Sequence, residues 1–442
     1  MDLSAARVLL HFIGARRRWS GLRGDAIRRY QARRARRIVA FTARHSPFYR
    51  EHWAGHDLDD WTSLPLVDKR LMMQHWDRFT TRGIGREEAL SVALRAERER
   101  DFRPTLDGLT VGLSSGTSGH RGLFVVSPAE GAAWAGTILA RTLHGLPRRL
   151  RVAFFLRSNS NLYERVGSRL LTFRYFDLQS PLAEVAPRLD RLQPHVVVGP
   201  PSLLLLLARA QAAGQITIRP RRLISVAEVL APEDRTRLEG AFDAPVHQIY
   251  QCTEELLAVS CPRGTLHIQE DLVAVELLQV SAAEEGTVTP VVTDLWRRTQ
   301  PIIRYRLDDL LRMDPWPCSC GSDWRAIAAV EGRRDDLVWF ELAGGGSRPC
   351  FPDTVRRMIL LASPDIDDYQ AVQERPGHLR VHLQLPPGVD FAVVARDVRR
   401  SVAAVLAQYG CRPAAVEVEP GLPPLSPGAK RRRVIGPPPP AP

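Results

Sequence analysis

Hydroxyl residues and glycines are concentrated in one stretch of the chain, between two apolar segments. Residues 109–113 and 123–126 are rich in leucine and valine, which predicts two strands joined as a hairpin. The joining loop offers bare backbone N–H groups and hydroxyls that can surround an anion such as a triphosphate. The residues that we expect to contact phosphate are Ser114, Ser115, Gly116, Thr117, Ser118 and Gly119.

This Ser/Gly loop (residues 114–119) has three competing interpretations. A Walker loop requires a lysine after its second glycine, and no lysine follows any glycine of this loop. The segment Gly112 to Gly116 matches the nucleophile elbow of serine hydrolases, with Ser114 as the nucleophile. An elbow leads directly into a helix, however, whereas residues 123–126 predict a strand. A glycine-serine turn that binds no ligand is the third alternative.

The middle of the chain alternates short apolar strands with helices. Strands are predicted at residues 151–156, 196–198, 223–226 and 246–250. Continuous apolar strands that alternate with helices are typical of a doubly wound α/β sheet buried on both faces. Ligands of such sheets lie beyond the carboxyl ends of the strands.

Polar side chains follow two of these predicted strands. Glu228 comes just after residues 223–226, and Tyr250, Thr253 and Glu254 come at the end of residues 246–250. The position after a strand favours a ligand site. The alternative for a Thr-Glu pair is a helix N-cap followed by an acidic residue in the first helical turn.

Three thiols and one imidazole could form a closed tetrahedral zinc site. Because all four ligands come from the protein, the role of such a site would be structural. The spacing differs from the usual paired CxxC pattern, so buried thiols without a metal remain an alternative. The predicted ligands are Cys261, His267, Cys318 and Cys320.

The length of 442 residues predicts two or three domains, and the composition, 44% hydrophobic and 25% charged, is ordinary for a globular protein. No apolar run is long enough to span a membrane, and the apolar residues 8–13 lack the features of a signal peptide. Six cysteines in a chain of this length favour a reducing cytoplasm over disulfides.

The net positive charge of the chain lies almost entirely in the N-terminal region. Residues 1–50 contain thirteen arginines and two aspartates, a net charge of +11 out of +12 for the whole chain. A basic arm of this kind could meet nucleic acid, anionic lipid or an acidic protein such as an acyl carrier protein. No nucleic-acid-binding module supports the first partner, and a solvated amphipathic helix is an equally good interpretation.

The motifs together resemble the adenylate-forming enzymes, in particular the phenylacetate-CoA ligase-like branch and members related to deazaflavin-coenzyme adenylating synthetases. The resemblance is carried by the Ser/Gly loop and by residues 45–50, 64–69, 250–254, 293–310 and 331–336. It extends to residues 424–431, where Lys430 is one of only two lysines among 61 basic residues. The motifs span roughly residues 45–435.

The resemblance implies a role for each motif residue. The Ser/Gly loop would bind ATP phosphates, Tyr250 would lie near adenine, and Thr253 near phosphate. Glu254 would bind Mg²⁺, which prefers carboxylate and phosphate oxygens. Asp309 would bind the ribose hydroxyls, Arg333 would make a second nucleotide contact, Asp335 would act as the hinge pivot, and Lys430 would be the catalytic lysine. Glu228 is assigned to the cofactor site from its position after a strand and not from the resemblance. Cysteines similar to those of the predicted zinc site occur in phenylacetate-CoA ligase-like proteins.

The implied activity is ATP-dependent conversion of a carboxylic acid to an acyl-adenylate, followed by transfer to the thiol of coenzyme A or of a carrier protein. Rival interpretations are an adenylyltransferase that stops at AMP transfer, a serine hydrolase using Ser114, and a non-catalytic module that binds an acidic partner. The predicted organisation is a basic helical region (1–62), a large AMP-binding α/β core (63–334), a small α+β C-terminal lid (335–436) and an unstructured proline-rich tail (437–442).

Overall fold

The computed structural model describes residues 3–99, 101, 104–113, 122–144, 149–156, 171–178, 180–280, 286–333, 336–424 and 432–437. Some residues with predicted roles lie outside these ranges: Ser114, Ser115, Gly116, Thr117, Ser118, Gly119, Asp335 and Lys430.

The chain divides into two compact units. Unit 1 consists of Met1–Glu276, Val291–Leu307 and Asp314–Ala328, and unit 2 of Leu277–Pro290, Asp308–Met313 and Ala329–Pro442.

The helices that begin and end in unit 1 are α1 (Leu3–Gly21), α2 (Asp25–His45), α3 (Pro47–His52), α4 (Lys69–Gln74), α5 (Trp76–Phe79), α6 (Arg86–Glu99), α7 (Pro128–Thr142), α8 (Leu182–Leu192), α9 (Pro201–Ala212) and α10 (Pro232–Phe242). The strands up to the start of the C-terminal region are β1 (Thr110–Leu113), β2 (Leu123–Val126), β3 (Leu150–Leu156), β4 (Leu171–Asp177), β5 (Val196–Gly199), β6 (Arg222–Val226), β7 (Val246–Gln251), β8 (Leu256–Ser260), β9 (Leu266–Ile268), β10 (Val273–Gln279), β11 (Thr287–Asp294), β12 (Tyr305–Arg306), β13 (Asp309–Asp314) and β14 (Ala326–Arg333).

The core of unit 1 is a sheet with helices against both faces. Strands β4, β3, β5, β6 and β7 lie side by side in that order and pair in parallel, and β8 and β9 extend the sheet with antiparallel pairs. Alternate side chains of β3 point to opposite faces. Ala153 and Phe155 pack with side chains of α8, α9 and α10, whereas Val152 and Phe154 pack on the other face, where Leu139 of α7 also lies. The predicted α/β sheet, buried on both faces, is therefore confirmed.

The segments that flank the Ser/Gly loop form the predicted hairpin. β1 and β2 pair antiparallel, with Thr110 opposite Val126 and Leu113 opposite Leu123. A strand, and not a helix, thus follows the loop in the chain. A nucleophile elbow requires a helix at this place, so the hairpin argues against the hydrolase interpretation.

The basic N-terminal helices pack onto the rest of unit 1. α1 lies against α7 so closely that a side chain at Gly136 would collide with the backbone of Val8. Asp271 is fully buried and accepts from the guanidinium groups of both Arg18 and Arg141 at 2.8 and 2.9 Å. Arg18, one of the thirteen arginines of residues 1–50, therefore neutralises a buried carboxylate of unit 1.

Another part of this charge lies on one exposed face of α2. Arginines at spacings of three, four, seven and eight residues share a helix face. Four exposed arginines of α2 have these spacings, and within the described part of the chain they form no ion pair: Arg29, Arg33, Arg36 and Arg37. Among the described residues, no helix combines the length and the hydrophobicity needed to cross a membrane.

The C-terminal part of unit 2 is a small α+β assembly. Its elements are β15 (Val338–Glu341), β16 (Ser347–Cys350), α11 (Pro352–Leu360), β17 (Asp368–Arg375), β18 (His378–Gln384), α12 (Phe391–Gln408), β19 (Ala415–Pro420) and β20 (Val434–Ile435). Four strands form one sheet in the order β19, β18, β17, β20, and α11 and α12 contribute Met358, Val398 and Val402 to its core.

Candidate functional site

The segment after β7 is a tight turn between two strands. Residues 252–255, which we call the Thr-Glu turn, separate β7 from the antiparallel β8, and the N–H of Cys252 donates to the carbonyl of Glu255 at 3.0 Å. A register shift between Tyr250 and Gln251 marks the entry to the turn. Because β8 begins at Leu256, the alternative interpretation of a helix N-cap is wrong.

The carboxylate of Glu254 is oriented by a buried tyrosine. The hydroxyl of Tyr305 donates to Oε1 of Glu254 at 3.0 Å, and Tyr305 is only 2% exposed. The backbone of residues 304–306 is fixed by Val67, whose N–H donates to the carbonyl of Arg304 and whose carbonyl accepts from Arg306. Segments that are far apart in sequence thus hold the acidic side chain of the turn.

A buried arginine binds the backbone of the same turn. Nη1 of Arg297 donates to the carbonyls of Glu254 at 2.7 Å and of Thr253 at 3.2 Å. Its Nη2 donates to the carbonyl of Val125 in β2 at 3.2 Å and to Oε1 of Gln300 at 2.6 Å. Arg297 therefore connects the Thr-Glu turn to the strand that follows the Ser/Gly loop.

Two carboxyl groups lie together behind the turn. Burial, followed by the adjacent carboxyl group of Asp294, raises the pKa of Glu255 well above its ordinary value. Asp294 is 3% exposed and its Oδ1 accepts from the N–H groups of Trp296 and Arg297 at 2.6 and 2.8 Å. Glu255 therefore holds its proton to higher pH than an ordinary glutamate.

Glu228 lies at the carboxyl end of β6, as the sequence predicts. The preceding Ala227 has a φ of +69°, a conformation that costs roughly 1 kcal/mol or more for a residue other than glycine. Oε2 of Glu228 accepts from the N–H of Ser202, in the first turn of α9, at 3.2 Å. The strained backbone and this contact together fix the direction of the carboxylate.

Unit 2 brings the predicted ribose and nucleotide residues together. Nε of Arg333, at the end of β14, lies 4.0 Å from Oδ1 of Asp309, and its Nη2 lies 3.5 Å from Oδ2 of Asp308. Asp336 forms an ion pair with Arg432 through Nε at 2.8 Å. Residues 331–333 belong to β14, so this part of the charged run is strand and not an exposed turn.

The four predicted zinc ligands meet in unit 1. The ligand atoms of Cys261, His267, Cys318 and Cys320 all lie within 4.8 Å of one another, and Sγ of Cys261 is 3.8 Å from Sγ of Cys318. Nδ1 of His267 binds the carbonyl of Trp324 at 2.8 Å, which leaves Nε2 facing Cys320 at 3.5 Å. An imidazole held in this way presents its free nitrogen to a metal. The donor set fits a tetrahedral zinc ion.

The pKa values of Cys318 and His267 in this Cys/His cluster are shifted by the groups around them. Burial raises the pKa of Cys318, but hydrogen bonds with Thr265 and the backbone of Cys320 outweigh it and lower the pKa to about 6. Burial lowers the pKa of His267, but hydrogen bonds with Cys261 and Cys318 outweigh it and raise the pKa to about 9. Thiol and imidazolium protons are those that a bound metal replaces.

The N-terminal helices contact the cluster through aromatic rings. The ring of Trp19 in α1 meets those of His267 and Trp324 edge-on, with centroid distances of 5.6 and 4.7 Å. The indole N–H of Trp324 donates to the carbonyl of Leu22 at 3.1 Å, and the N–H of Gly24 donates to Asp323 at 2.9 Å. The cluster therefore lies where the N-terminal region meets the sheet.

Sequence reasoning missed Arg297, Gln300 and the Glu255–Asp294 pair. Arg297 follows Trp296 and precedes Arg298, and such a run is ordinarily an exposed charged segment. A usable signal was that Asp294, Arg297 and Gln300 all lie within residues 293–310, one of the segments that carry the resemblance.

Comparison with known proteins identifies a relative that matches most of the chain. The chain is 24% identical over 378 residues to a phenylacetate-coenzyme A ligase of Thermus thermophilus, and the match covers 80% of each chain. No family profile matches.

Solved structures are similar over most of the chain. A 2-hydroxyisobutyryl-CoA ligase in complex with 2-HIB-AMP superposes with a TM-score of 0.71 at 19% identity, covering 93% of this chain and 89% of that one. The anthranilate CoA ligase AuaEII in complex with anthranoyl-AMP gives a TM-score of 0.52 at 17% identity, over 73% and 65% of the two chains. A benzoate CoA ligase from Burkholderia xenovorans LB400 gives 0.51 at 16% identity, over 75% and 68%. The chain has the fold of adenylate-forming ligases, and the predicted resemblance is confirmed.

Proposed function

We propose that this protein is an adenylate-forming ligase, which activates a carboxylic acid with ATP and transfers the acyl group to a thiol. The observation that carries the proposal is the Thr-Glu turn. At the carboxyl end of a parallel strand, in the fold of adenylate-forming ligases, it presents a glutamate whose direction is fixed by Tyr305.

The residues of unit 1 are assigned to the nucleotide phosphates and the metal. Glu254 would hold Mg²⁺ together with phosphate oxygens, and the ion would supply charge neutralisation on the triphosphate. Thr253 would donate to a phosphate, Tyr250 would lie beside the adenine, and Glu228 would border the same site. The Ser/Gly loop would bind phosphates through its N–H groups.

The residues of unit 2 are assigned to the ribose and to the acid. Asp309 would accept from both ribose hydroxyls and Arg333 would contact the nucleotide, roles that fit their neighbouring positions. Lys430, two residues before the ion-paired Arg432, would stabilise the charge that moves between the carboxylate and the α-phosphate. Asp335 would be the pivot between a core of residues 63–334 and a lid of residues 335–436.

The reaction has two steps. An oxygen of the substrate carboxylate attacks the α-phosphorus, the bond to the bridging oxygen breaks, and pyrophosphate leaves. The thiol sulfur of coenzyme A, after losing its proton, then attacks the acyl carbon and AMP leaves with the electron pair of the acyl–oxygen bond. Coenzyme A as the acceptor is supported by the likeness to a phenylacetate-coenzyme A ligase and to structures named as CoA ligases. An acyl carrier protein is the alternative acceptor that the exposed arginines of α2 favour.

The Cys/His cluster is assigned to one zinc ion with a structural role. Its four protein ligands would leave no coordination position for a substrate. Its contacts with Trp19 and Trp324 suit a function in holding the N-terminal helices.

Acid-dependent exchange of labelled pyrophosphate into ATP tests the proposal. A panel of aryl and short aliphatic acids should contain at least one that supports exchange with the wild-type protein and not with Glu254→Gln. Thioester formation on adding coenzyme A would identify the ligase. Exchange without any thioester, with AMP found on another acceptor, would favour the adenylyltransferase. Labelling of Ser114 by a fluorophosphonate, without exchange, would favour the hydrolase.

A further inference from the structure

Arg297 is a buried cation whose side chain binds backbone carbonyls from two separate segments. It is 8% exposed, and its two terminal nitrogens contact Thr253, Glu254 and Val125. Its Nε has no hydrogen-bond partner among the described residues. A guanidinium presents donors in a rigid plane, so it can span carbonyls that a lysine ammonium would contact only in part.

Gln300 fixes the orientation of this guanidinium. Its Oε1 accepts from Nη2 of Arg297 at 2.6 Å and from the N–H of Val125 at 3.0 Å. Gln300 is 1% exposed, so both contacts are made away from solvent. Arg297, Gln300 and Val125, which lies in the second half of β2, are thus each hydrogen-bonded to the other two.

Arg297 joins the Thr-Glu turn to β2. On one side it binds the backbone of the Thr-Glu turn, which carries the proposed magnesium ligand. On the other side it binds β2, which follows the Ser/Gly loop in the chain. We propose that Arg297 is a positioning residue that holds the Thr-Glu turn, and with it the proposed magnesium ligand Glu254, in place against β2. This inference rests on the proposed function.

The guanidinium of Arg297 contacts the backbone carbonyl of Glu254, whereas the Glu254 carboxylate accepts from Tyr305. The Glu255–Asp294 pair lies beside Arg297, and the positive charge of Arg297 acts on Glu255. A buried cation requires such compensation, since an unpaired one is strongly destabilising. The carboxylate of Glu254 is held by Tyr305 instead.

Kinetics of the two half-reactions test the inference. Arg297→Lys and Arg297→Gln should lower the maximal rate of pyrophosphate exchange at least tenfold and raise the Mg²⁺ concentration for half-maximal exchange severalfold. The KM for the acid, and thioester formation from a supplied acyl-adenylate, should change less than twofold. Arg298→Gln is the matched control, because Arg298 is the exposed neighbour whose guanidinium lies over Phe41. It should behave like the wild type.

A loss of folding alone predicts a different pattern. Fewer active molecules would lower both half-reactions equally and leave every half-saturation concentration unchanged, and that result would overturn the inference. If the Arg297 variants do not fold, Gln300→Ala replaces them, and it should shift the Mg²⁺ dependence in the same direction by a smaller factor. An unchanged Mg²⁺ dependence in folded Gln300→Ala would then overturn the inference. A wild-type protein that shows no exchange with any acid would overturn the proposed function itself.

Discussion

The hydroxyl of Tyr305 donates a hydrogen bond to Oε1 of Glu254 over 3.0 Å, although 51 residues separate the two in sequence. One carboxylate oxygen is thus held by Tyr305, and the other has no hydrogen bond to the described residues. A carboxylate held in one direction needs little reorganisation when a cation arrives, which is the property expected of a pre-organised ligand.

The first prediction concerns this contact. Tyr305→Phe should lower the rate of acid-dependent pyrophosphate exchange by about tenfold, because a hydrogen bond to a charged group contributes roughly 1.5 kcal/mol. The Mg²⁺ concentration for half-maximal exchange should rise. Tyr49→Phe is the control, because Tyr49 is also fully buried and its hydroxyl donates to the carbonyl of Pro301 at 3.1 Å. It should lower stability and leave the Mg²⁺ dependence unchanged. Equal effects of the two variants would contradict a role for Tyr305 in orienting Glu254.

The second prediction concerns Lys430. Lys430→Ala and Lys430→Arg should both lose adenylate formation by about three orders of magnitude, since a compact ammonium can bridge carboxylate and phosphate oxygens and a wide planar guanidinium cannot. Both variants should still form thioester from a supplied acyl-adenylate. Lys69→Arg, the change at the other lysine of the chain, should retain activity. Full adenylation by Lys430→Arg would refute the assignment.

The third prediction concerns the Cys/His cluster. The purified protein should contain about one zinc ion per chain, and Cys320→Ser should lose it and lower the unfolding temperature by about 5 °C or more. Trp19 and Trp324 lie beside His267, so metal removal should also change tryptophan emission. Cys411→Ser changes a buried cysteine outside the cluster and should keep the metal. A wild-type protein without any bound metal would rule out the site.

The fourth prediction concerns pH. The pKa of Glu255 is raised by burial and then by Asp294, so above the ordinary glutamate value of 4.5 the folded state retains a proton that the unfolded state has lost. Stability from this group is therefore complete at low pH and is lost as pH rises towards the folded-state pKa, by at most about 1.4 kcal/mol per pH unit.

Glu255→Gln removes this titration. Urea unfolding of the wild type and of Glu255→Gln between pH 4.5 and 8 should give a difference in the free energy of unfolding that favours the variant increasingly as pH rises. A constant difference over this range would show that Glu255 titrates normally.

The fifth prediction concerns the exposed arginines of α2. If they recruit an acidic carrier protein, the charge reversal Arg33→Glu with Arg37→Glu should weaken acyl transfer to that carrier at least tenfold at low salt, and added salt should abolish the difference. Transfer to free coenzyme A, measured in parallel, should be unaffected. A similar loss with both acceptors would exclude recruitment by this face.

The sequence by itself determined the strands, the hairpin around the Ser/Gly loop and the identity of the four cluster residues. These features depend on short-range patterns: apolar runs with period two or 3.6, turn-forming glycines, and a small number of cysteines in a long chain. Asp68 illustrates such local control, since its side chain caps α4 by accepting from the N–H of Leu71, three residues later in the chain.

Only the tertiary structure decided which of two adjacent arginines is buried. Arg297 and Arg298 are equivalent in the sequence, yet Arg297 contacts carbonyls 43 and 172 residues away, whereas Arg298 is exposed. The same holds for the N-terminal helices, whose Arg18 binds Asp271 across 253 residues. A short-range pattern records the polarity of a side chain but not the partner that compensates its charge. That partner is supplied by the packing of distant segments.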